Sequence, residues 1–331
     1  NKKAGKQVSR LMKMKKILTI ILSIIVAVSF NGCKATQNTE PQDDARIKIV
    51  TTLFPYYDFV RAVTKGVDGI SITMTVAPGQ DSHSFEPTPK DIIKIENADL
   101  FIYNGGTLET WVDSVLGALS NDEQVMRMMD YVDVMEEETV EGMDLRYEHS
   151  HDHSEEMHSH SEESEHSHDE ENEHSHDEES EHSHDDKEYD EHIWTSPVNA
   201  MKMVGYICDE MIKIDPENAE IYKANADEYI GKIQNIDTQI RKIVNKMDKK
   251  EIIFADKFPL LYFAKEYGLS YYAAFPGCAE DTEPSARTIA FLIDKINEDK
   301  INKVYYLELS SKAVANTICE DTGAKAYEFN S

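Results

Sequence analysis

The chain has 331 residues, of which 40% are hydrophobic and 29% are charged, and this is enough apolar material for a folded core. Its formal net charge of -29 argues against nucleic acid as a partner and is compatible with cations. Four cysteines are too few for a scaffold built on disulfides. Because the chain begins with Asn1 rather than Met and stops at Ser331 directly after a predicted strand, we expect a fragment truncated at both ends.

Residues 1–33 have the features of an export signal. Basic residues precede an apolar run over residues 17–30, which is too short to span a bilayer and suits the core of a signal peptide. Asn-Gly-Cys follows at once, so the segment resembles a bacterial lipoprotein signal in which Cys33 carries the lipid. An ordinary secretory signal is the alternative. Residues 34–45 then form a tether, and we expect the mature chain to lie outside the cytoplasm, anchored to the cell membrane.

The next part of the chain alternates β-branched runs with helical patterns. Predicted strands span residues 46–52, 70–76, 99–103 and 125–131, and predicted helices span 55–64, 90–98, 108–119 and, further on, 196–214. Strands that alternate with helices indicate βαβ units and a mainly parallel sheet. We assign residues 46–213 to an N-terminal α/β lobe.

A long helical pattern separates this lobe from a second one. It runs from Pro216 to about residue 247 with no further proline, which corresponds to about 45 Å of helix. We interpret residues 214–249 as a rigid connector helix. Residues 250–331 are predicted to form a C-terminal α/β lobe, with strands at 251–255, 269–275, 303–309 and 324–329 and helices ending near 267, 298 and 320. Two such lobes leave a crevice at the carboxyl ends of their parallel strands, where α/β sheets usually bind ligands.

A His/Glu-rich insert over residues 147–190 interrupts the first lobe. Between residues 147 and 192 there are twenty acidic side chains and one lysine, and a Glu-His-Ser-His pattern recurs every eight residues from Glu165. The insert has no apolar face and is predicted to be disordered. Its histidines suit zinc, copper or nickel, which predicts an auxiliary, weakly binding metal tract, whereas an acidic solubilising linker would explain the carboxylates alone. The tract histidines are His149, His151, His153, His158, His160, His166, His168, His174, His176, His182 and His184.

Two histidines lie in motifs of their own. His83 belongs to Asp-Ser-His-Ser-Phe-Glu-Pro in a loop after the second strand, and His192 belongs to Asp-Glu-His-Ile-Trp just before a helix start at Ser-Pro. Taken in order with Phe-Ala-Asp at 254–256 and Tyr-Phe-Ala-Lys-Glu-Tyr-Gly-Leu at 262–269, these motifs resemble the zinc- and manganese-type substrate-binding proteins of ABC importers. The resemblance covers about residues 46–331 outside the insert.

The resemblance implies a metal receptor rather than an enzyme. It implies that His83 and His192 bind Zn²⁺ between the lobes, and that the protein passes the ion to an ABC permease and its ATPase. Zinc-type members often carry a histidine at the position of Ala255, so the remaining ligands are open: Asp256, whose alternative role is a helix N-cap, Glu308, or a residue beyond Ser331. We expect a monomer.

Three other interpretations remain. A manganese receptor of the same fold would use a harder, oxygen-rich site with Asp256 and Glu308. A surface adhesin or metal buffer would have no transport role. A metallohydrolase would need a general base and an open coordination position. The sequence contains no helix motif of the His-Glu-x-x-His type that would support this interpretation. A disulfide between Cys278 and Cys319 also stays open, since the sequence reports no distance.

Overall fold

The computed structural model describes residues 45–80, 82, 84–117, 119, 125–143, 188–279 and 283–330. The described residues from Ile47 onward belong to one compact unit. The predicted signal, its lipidation residue Cys33 and nearly all of the tether lie outside the described residues. Within the described part, no helix combines the length and the apolar character needed to cross a bilayer.

The first lobe contains a four-stranded parallel sheet in the order β2-β1-β3-β4. Its strands are β1 (Ile47–Thr51), β2 (Ile70–Met74), β3 (Leu100–Tyr103) and β4 (Val125–Arg127), and its helices are α1 (Phe54–Val63), α2 (Pro89–Glu96) and α3 (Trp111–Leu116). Neighbouring residues of β1 enter different cores: Ile49 packs with α1, and Val50 packs on the other face with α2 and α3. Helices on both faces explain why the central strand β3 is continuously apolar and fully buried.

Two helices lead to the second lobe. The first, α4 (Pro197–Ile214), begins where the Ser196 hydroxyl accepts a hydrogen bond from the Asn199 amide and proline occupies the first turn. The second, α5 (Ala219–Val244), has 26 residues and therefore a length of about 39 Å. Tyr222 near its start belongs to the core of the first lobe, and Val244 at its end belongs to the core of the second. The connector helix predicted from the sequence is thus present, and it is anchored at both ends.

The second lobe repeats the architecture, with a parallel sheet in the order β6-β5-β7-β8. Its strands are β5 (Glu251–Phe258), β6 (Ser270–Pro276), β7 (Lys303–Leu307) and β8 (Lys325–Phe329), and its helices are α6 (Leu261–Tyr267), α7 (Ala286–Asp299) and α8 (Ala313–Thr322). Ile253 and Phe254 again face opposite cores. The predicted fold class, two parallel α/β lobes joined by a long helix, is confirmed.

Some predicted boundaries are wrong. The strand predicted over 125–131 ends at Arg127 and is followed by a 3-10 helix, Met128–Tyr131. The strand predicted over 251–255 continues to Phe258, because its pairing with β6 shifts register between Phe254 and Lys257 and then resumes. The long helix begins only after a 3-10 turn at Pro216–Asn218. Short apolar stretches do not reveal such bulges and turns in advance.

The ends of the insert are held in the fold. Glu136 and Tyr189 form an antiparallel bridge, and the Glu137 amide donates to the Glu188 carbonyl at 2.9 Å. Residues 188–190, which the sequence analysis assigns to the disordered insert, are therefore ordered. Before the insert, the chain crosses to the second lobe, where Met143 is part of its core although the predicted boundary places it in the first.

A buried carboxylate ties the connector to the second lobe. Asp237 of α5 is 4% exposed and accepts hydrogen bonds from the Tyr267 hydroxyl at 2.9 Å and from the Arg241 guanidinium at 3.1 Å. We expect Asp237→Ala to lower the free energy of unfolding by about 1–3 kcal/mol, because it leaves the buried Tyr267 hydroxyl without its acceptor. Urea unfolding measures this loss. Asp227→Ala, an exposed change on the same helix, serves as the control, and equal losses in both variants would contradict the interpretation.

Candidate metal centre

His192 lies directly before the 3-10 helix Ile193–Thr195, which leads into α4. The residue is only 7% exposed. The backbone around it is fixed, since the His192 carbonyl accepts hydrogen bonds from the Thr195 amide at 3.1 Å and from the Thr195 hydroxyl at 2.7 Å. The Trp194 ring lies 5.5 Å from the imidazole, measured between ring centroids. A buried histidine in such a rigid turn has little freedom to lose when it binds a ligand.

Asp190 orients the imidazole. Its Oδ1 accepts a hydrogen bond from the His192 amide at 2.8 Å and lies 3.2 Å from Nδ1 of the ring. A carboxylate on one ring nitrogen favours the tautomer with its proton on that nitrogen and leaves the lone pair of the other nitrogen for a metal ion. The Asp190–His192 pair therefore has the arrangement of a metal ligand with its supporting carboxylate.

Glu191, between these two residues, fastens the segment to the first lobe. Its carboxylate accepts hydrogen bonds from the Thr107 amide, from the Leu108 amide at 2.5 Å and from the Thr107 hydroxyl at 2.8 Å. Gly106 has a φ of 80°, and a Cβ at this position would collide with the Glu191 carboxylate. The glycine at this position thus lets the backbone amides close around Glu191.

The second lobe lies directly against the same segment. The Tyr262 hydroxyl donates to the Asp190 carbonyl at 2.6 Å and accepts from the Met135 amide at 3.0 Å. The Cys278 amide donates to Glu137 at 2.8 Å. A Cβ on Gly277 would lie 3.2 Å from Cε1 of His192, so the loop after β6 reaches the imidazole because this position is glycine. His192 is therefore enclosed by residues of both lobes.

The surroundings of His192 are acidic. Burial is the main cause that raises the pKa values of Glu137 and Glu191 above the usual range of a carboxyl group. Burial also raises the pKa of Glu109, which is 2% exposed, to about 7, although its carboxylate accepts hydrogen bonds from the Asn104 and Gly105 amides. Raised pKa values in a cluster of carboxyl groups mean that negative charge is costly there, and a bound cation would relieve this cost.

Asp256 and Glu308 lie at the carboxyl ends of β5 and β7. Asp256 is 8% exposed, and its two carboxylate oxygens accept hydrogen bonds from the Lys257 amide at 2.8 Å and from the Leu307 amide at 3.1 Å. It lies within β5, so the alternative role as a helix N-cap is wrong. Glu308 directly follows β7, and its amide donates to the Phe329 carbonyl at 3.1 Å. Asp256 therefore joins two strands, whatever further role it has.

Only some of the predicted metal ligands lie within the described residues. His83 and the eleven tract histidines lie outside the described residues. Within the described part, no three side chains of His, Cys, Asp and Glu form a group able to hold a metal ion, so His192, Asp256 and Glu308 do not form one. The described cysteines are free thiols. The disulfide between Cys278 and Cys319, which the sequence left undecided, is therefore not formed.

Sequence reasoning missed two features of this centre. Glu109 gave no signal, since an acidic residue after a glycine pair usually lies at an exposed helix start. The proximity of Cys278 to His192, with its Sγ 4.0 Å from Nδ1, joins residues 86 positions apart, and only the packing of the lobes creates it. The Pro-Gly-Cys sequence, a loop placed directly after a strand, was the one available hint.

The raised pKa of Glu109 predicts a pH dependence of stability. Since its pKa in the folded protein, about 7, exceeds its ordinary value of 4.5, the free energy of unfolding should fall by up to about 3 kcal/mol as the pH rises from 4.5 to above 7. Glu109→Gln removes this titration. We therefore expect the variant to gain stability relative to the original protein between pH 5 and pH 8, as measured by urea unfolding. The exposed Glu217→Gln is the control, and a gain of the same size there would refute the assignment.

Comparison with known proteins agrees with this geometry. The family described as "Zinc-uptake complex component A periplasmic", ZnuA, matches residues 49–331. The chain is 34% identical to the high-affinity zinc uptake system protein ZnuA of Bacillus subtilis over 95% of its own length and 87% of that protein. It is 30% identical to the zinc-binding lipoprotein AdcA of Streptococcus pneumoniae over 96% of its length, and it spans 55% of that longer protein.

Solved structures show the same fold. The metal-dependent lipoprotein YcdH from Bacillus subtilis superposes with a TM-score of 0.62 at 30% identity, over 86% of this chain and 88% of that one. The Zn(II)-bound ZnuA-like domain of Streptococcus pneumoniae AdcA gives a TM-score of 0.61 at 26% identity, over 86% and 87%. With its two parallel lobes, its connector helix and its enclosed histidine, this chain belongs to the ZnuA family of zinc-uptake components.

Proposed function

We propose that the protein is an extracytoplasmic receptor that captures Zn²⁺ between its two lobes and delivers it to an ABC permease with its ATPase. The observation that carries this proposal is His192, a buried imidazole with Asp190 at one ring nitrogen and residues of the second lobe at its edge. Support comes from the relatives, which are named for zinc uptake and zinc binding, and from the family description as a component of a zinc-uptake complex.

The proposed ligands are His83 and His192 as neutral imidazoles, with oxygen ligands from Asp256 or Glu308. Both carboxylates follow or end strands of the second lobe's sheet, at the edge where parallel α/β sheets bind ligands. Asp256 already accepts two backbone hydrogen bonds, so it would bind a metal ion only through its remaining lone pairs. A ligand beyond Ser331 is compatible with the same proposal.

We further propose that the protein is a receptor and not an enzyme, since capture and release of an ion require no covalent bond to change. A lipid on Cys33 would hold it at the outer face of the cell membrane, with residues 34–45 as a tether. We propose that it acts as a monomer, because the two lobes of a single chain already enclose the imidazole.

Two alternatives differ in the ion or in its destination. A manganese receptor of the same fold would rely on the carboxylates Asp256 and Glu308, because oxygen ligands suit Mn²⁺. Competition between Zn²⁺ and Mn²⁺ for a chain without the tract separates the two ions. A surface metal buffer or adhesin without a transport role would bind zinc equally well. Zinc uptake that depends on the cognate permease would exclude it.

The histidine ligands can be tested by substitution. In a chain that lacks residues 148–187, we expect His83→Ala and His192→Ala each to weaken the tightest zinc site by more than about 100-fold, because each removes a ligand outright. Calorimetric titration measures the constant, and circular dichroism checks the fold. In the full chain, His182→Ala in the tract should leave the tightest constant unchanged. Full affinity in either of the first two variants would remove that histidine from the site.

The tract and the enclosed site should be separable. The bridge between Glu136 and Tyr189 closes the base of the insert, so a deletion of residues 148–187 leaves this base intact. We expect the deletion to lower the number of zinc ions bound while the tightest constant stays nearly the same, since rigid ligands lose less entropy on binding. Zinc loading should also become slower, and more so at low ionic strength than at high.

A second variant separates charge from coordination. Replacement of the eleven tract histidines by serine keeps every carboxylate, so it should preserve the salt-dependent loading rate and lose only the additional zinc ions. Equilibrium dialysis counts the bound ions, and stopped-flow fluorescence follows the loading. If the deletion removes the tightest site instead, the tract is itself the receptor site.

A further inference from the structure

Asn104 directly follows β3 (Leu100–Tyr103), a central strand of the first lobe's sheet, and is 0% exposed. Its backbone is held on both sides. The Asn104 amide donates to Oε2 of Glu109 at 2.7 Å, and the Asn104 carbonyl accepts a hydrogen bond from the Met129 amide at 3.1 Å. The residue is therefore fixed to the end of a buried strand, and its side chain starts from a rigid base.

The side-chain amide of Asn104 joins three parts of the first lobe. Its Oδ1 accepts a hydrogen bond from the Tyr56 hydroxyl of α1, and its Nδ2 donates to the Gly105 carbonyl at 3.1 Å and to the Glu191 carbonyl at 3.0 Å. Backbone carbonyls can only accept, so the two of them fix which end of the amide is the nitrogen. The bond to Glu191 connects β3 with a segment 87 positions further along the chain.

This bond acts on the peptide group that precedes His192. The carbonyl of that group belongs to Glu191 and accepts from Asn104, while its N–H belongs to His192 and donates to Oδ1 of Asp190 at 2.8 Å. Because a peptide group is planar, hydrogen bonds at both ends fix the rotation of its plane. The plane leads directly into the Cα of His192, where φ is -82°, and so it sets the direction in which the imidazole leaves the backbone.

The contact is distinct from the one that anchors the segment. The Glu191 carboxylate is bound by Thr107 and Leu108, and these bonds do not involve Asn104. Without the Asn104 amide, the segment would therefore stay attached, but the Glu191 carbonyl would lose its partner in a residue that is 2% exposed. A buried carbonyl without a donor is costly, so the peptide group would rotate towards another partner and turn His192 with it.

We propose that Asn104 is a positioning residue of the zinc site, which holds the peptide group before His192 so that the imidazole has its binding orientation before the ion arrives; this rests on the proposed zinc-receptor function. A ligand that is already oriented loses less entropy on binding. Asn104 acts through the backbone, whereas Asp190 acts on the ring itself.

Zinc affinity of the full chain tests this role. We expect Asn104→Ala to weaken the tightest zinc constant at least about tenfold, as the loss of residues that orient a ligand usually does. Competition with a fluorescent zinc chelator measures the constant. Asp237→Ala is the control, because it also removes a buried polar side chain but lies in the contact between α5 and α6. It should lose stability and keep its zinc affinity.

The outcomes separate the two proposals. Equal weakening of zinc binding in Asn104→Ala and Asp237→Ala would reduce the role of Asn104 to general stability. Full affinity in Asn104→Ala, together with loss of affinity in His192→Ala, would overturn the positioning role and leave the receptor intact. Full affinity in His192→Ala would overturn the receptor site itself.

The orientation of the ring can also be measured without zinc. The Nδ1 proton of His192 is buried beside Asp190, so it should give a downfield proton signal in NMR spectra, identified by its absence in His192→Ala. We expect this signal to shift or broaden in Asn104→Ala and to stay unchanged in Asp237→Ala. An unchanged signal in Asn104→Ala would contradict the proposal.

A further measurement needs no variant and therefore does not depend on the folding of Asn104→Ala. Hydrogen exchange of the zinc-free original protein, read by mass spectrometry, should show the His192 amide already protected. Rapid exchange that slows only after zinc is added would mean that the ion itself orders the peptide group, and this would overturn the positioning role.

Discussion

The proposed metal centre depends on Asp190, a residue that both lobes hold. Its carboxylate binds the amide of His192 and faces the ring, while its carbonyl accepts the Tyr262 hydroxyl from the second lobe. The residue is 1% exposed, so these bonds form away from competing water. A displacement of one lobe relative to the other would therefore act directly on the orientation of the imidazole. The orientation of the His192 imidazole therefore depends on how the two lobes are arranged.

This arrangement buries several carboxyl groups close together, which makes their charged forms unfavourable in free energy. Glu109, Glu137 and Glu191 all have raised pKa values, and burial is the largest cause in each case. Glu191 is compensated by the amides and hydroxyl at residues 107 and 108. Negative charge in such a cluster is unfavourable by itself and is stabilised by a nearby divalent cation, so these carboxyl groups would add to the preference of the proposed site for a cation.

The sequence was sufficient for the architecture, because each lobe has strong, regular signals. The β-branched runs that became β1 and β2 and the uninterrupted pattern that became α5 depend on local periodicity alone. Asp256 shows where such reasoning stops: the bulge in β5 kept it in the strand, although the pattern suggested a helix start. His192 could be selected through its motif, whereas its contact with Cys278 arises from two loops in different lobes, which no local pattern encodes.

The bridge between Glu136 and Tyr189 has a consequence for how the insert can change in evolution. Because the two ends are already joined, the 44 residues between Met143 and Glu188 can lengthen without altering the lobes. The entropy of closing a loop grows only with the logarithm of its length, so one more eight-residue repeat would cost on the order of 0.1 kcal/mol. Duplication or loss of repeats is then nearly neutral for folding, so the number of histidines can change with little effect on stability.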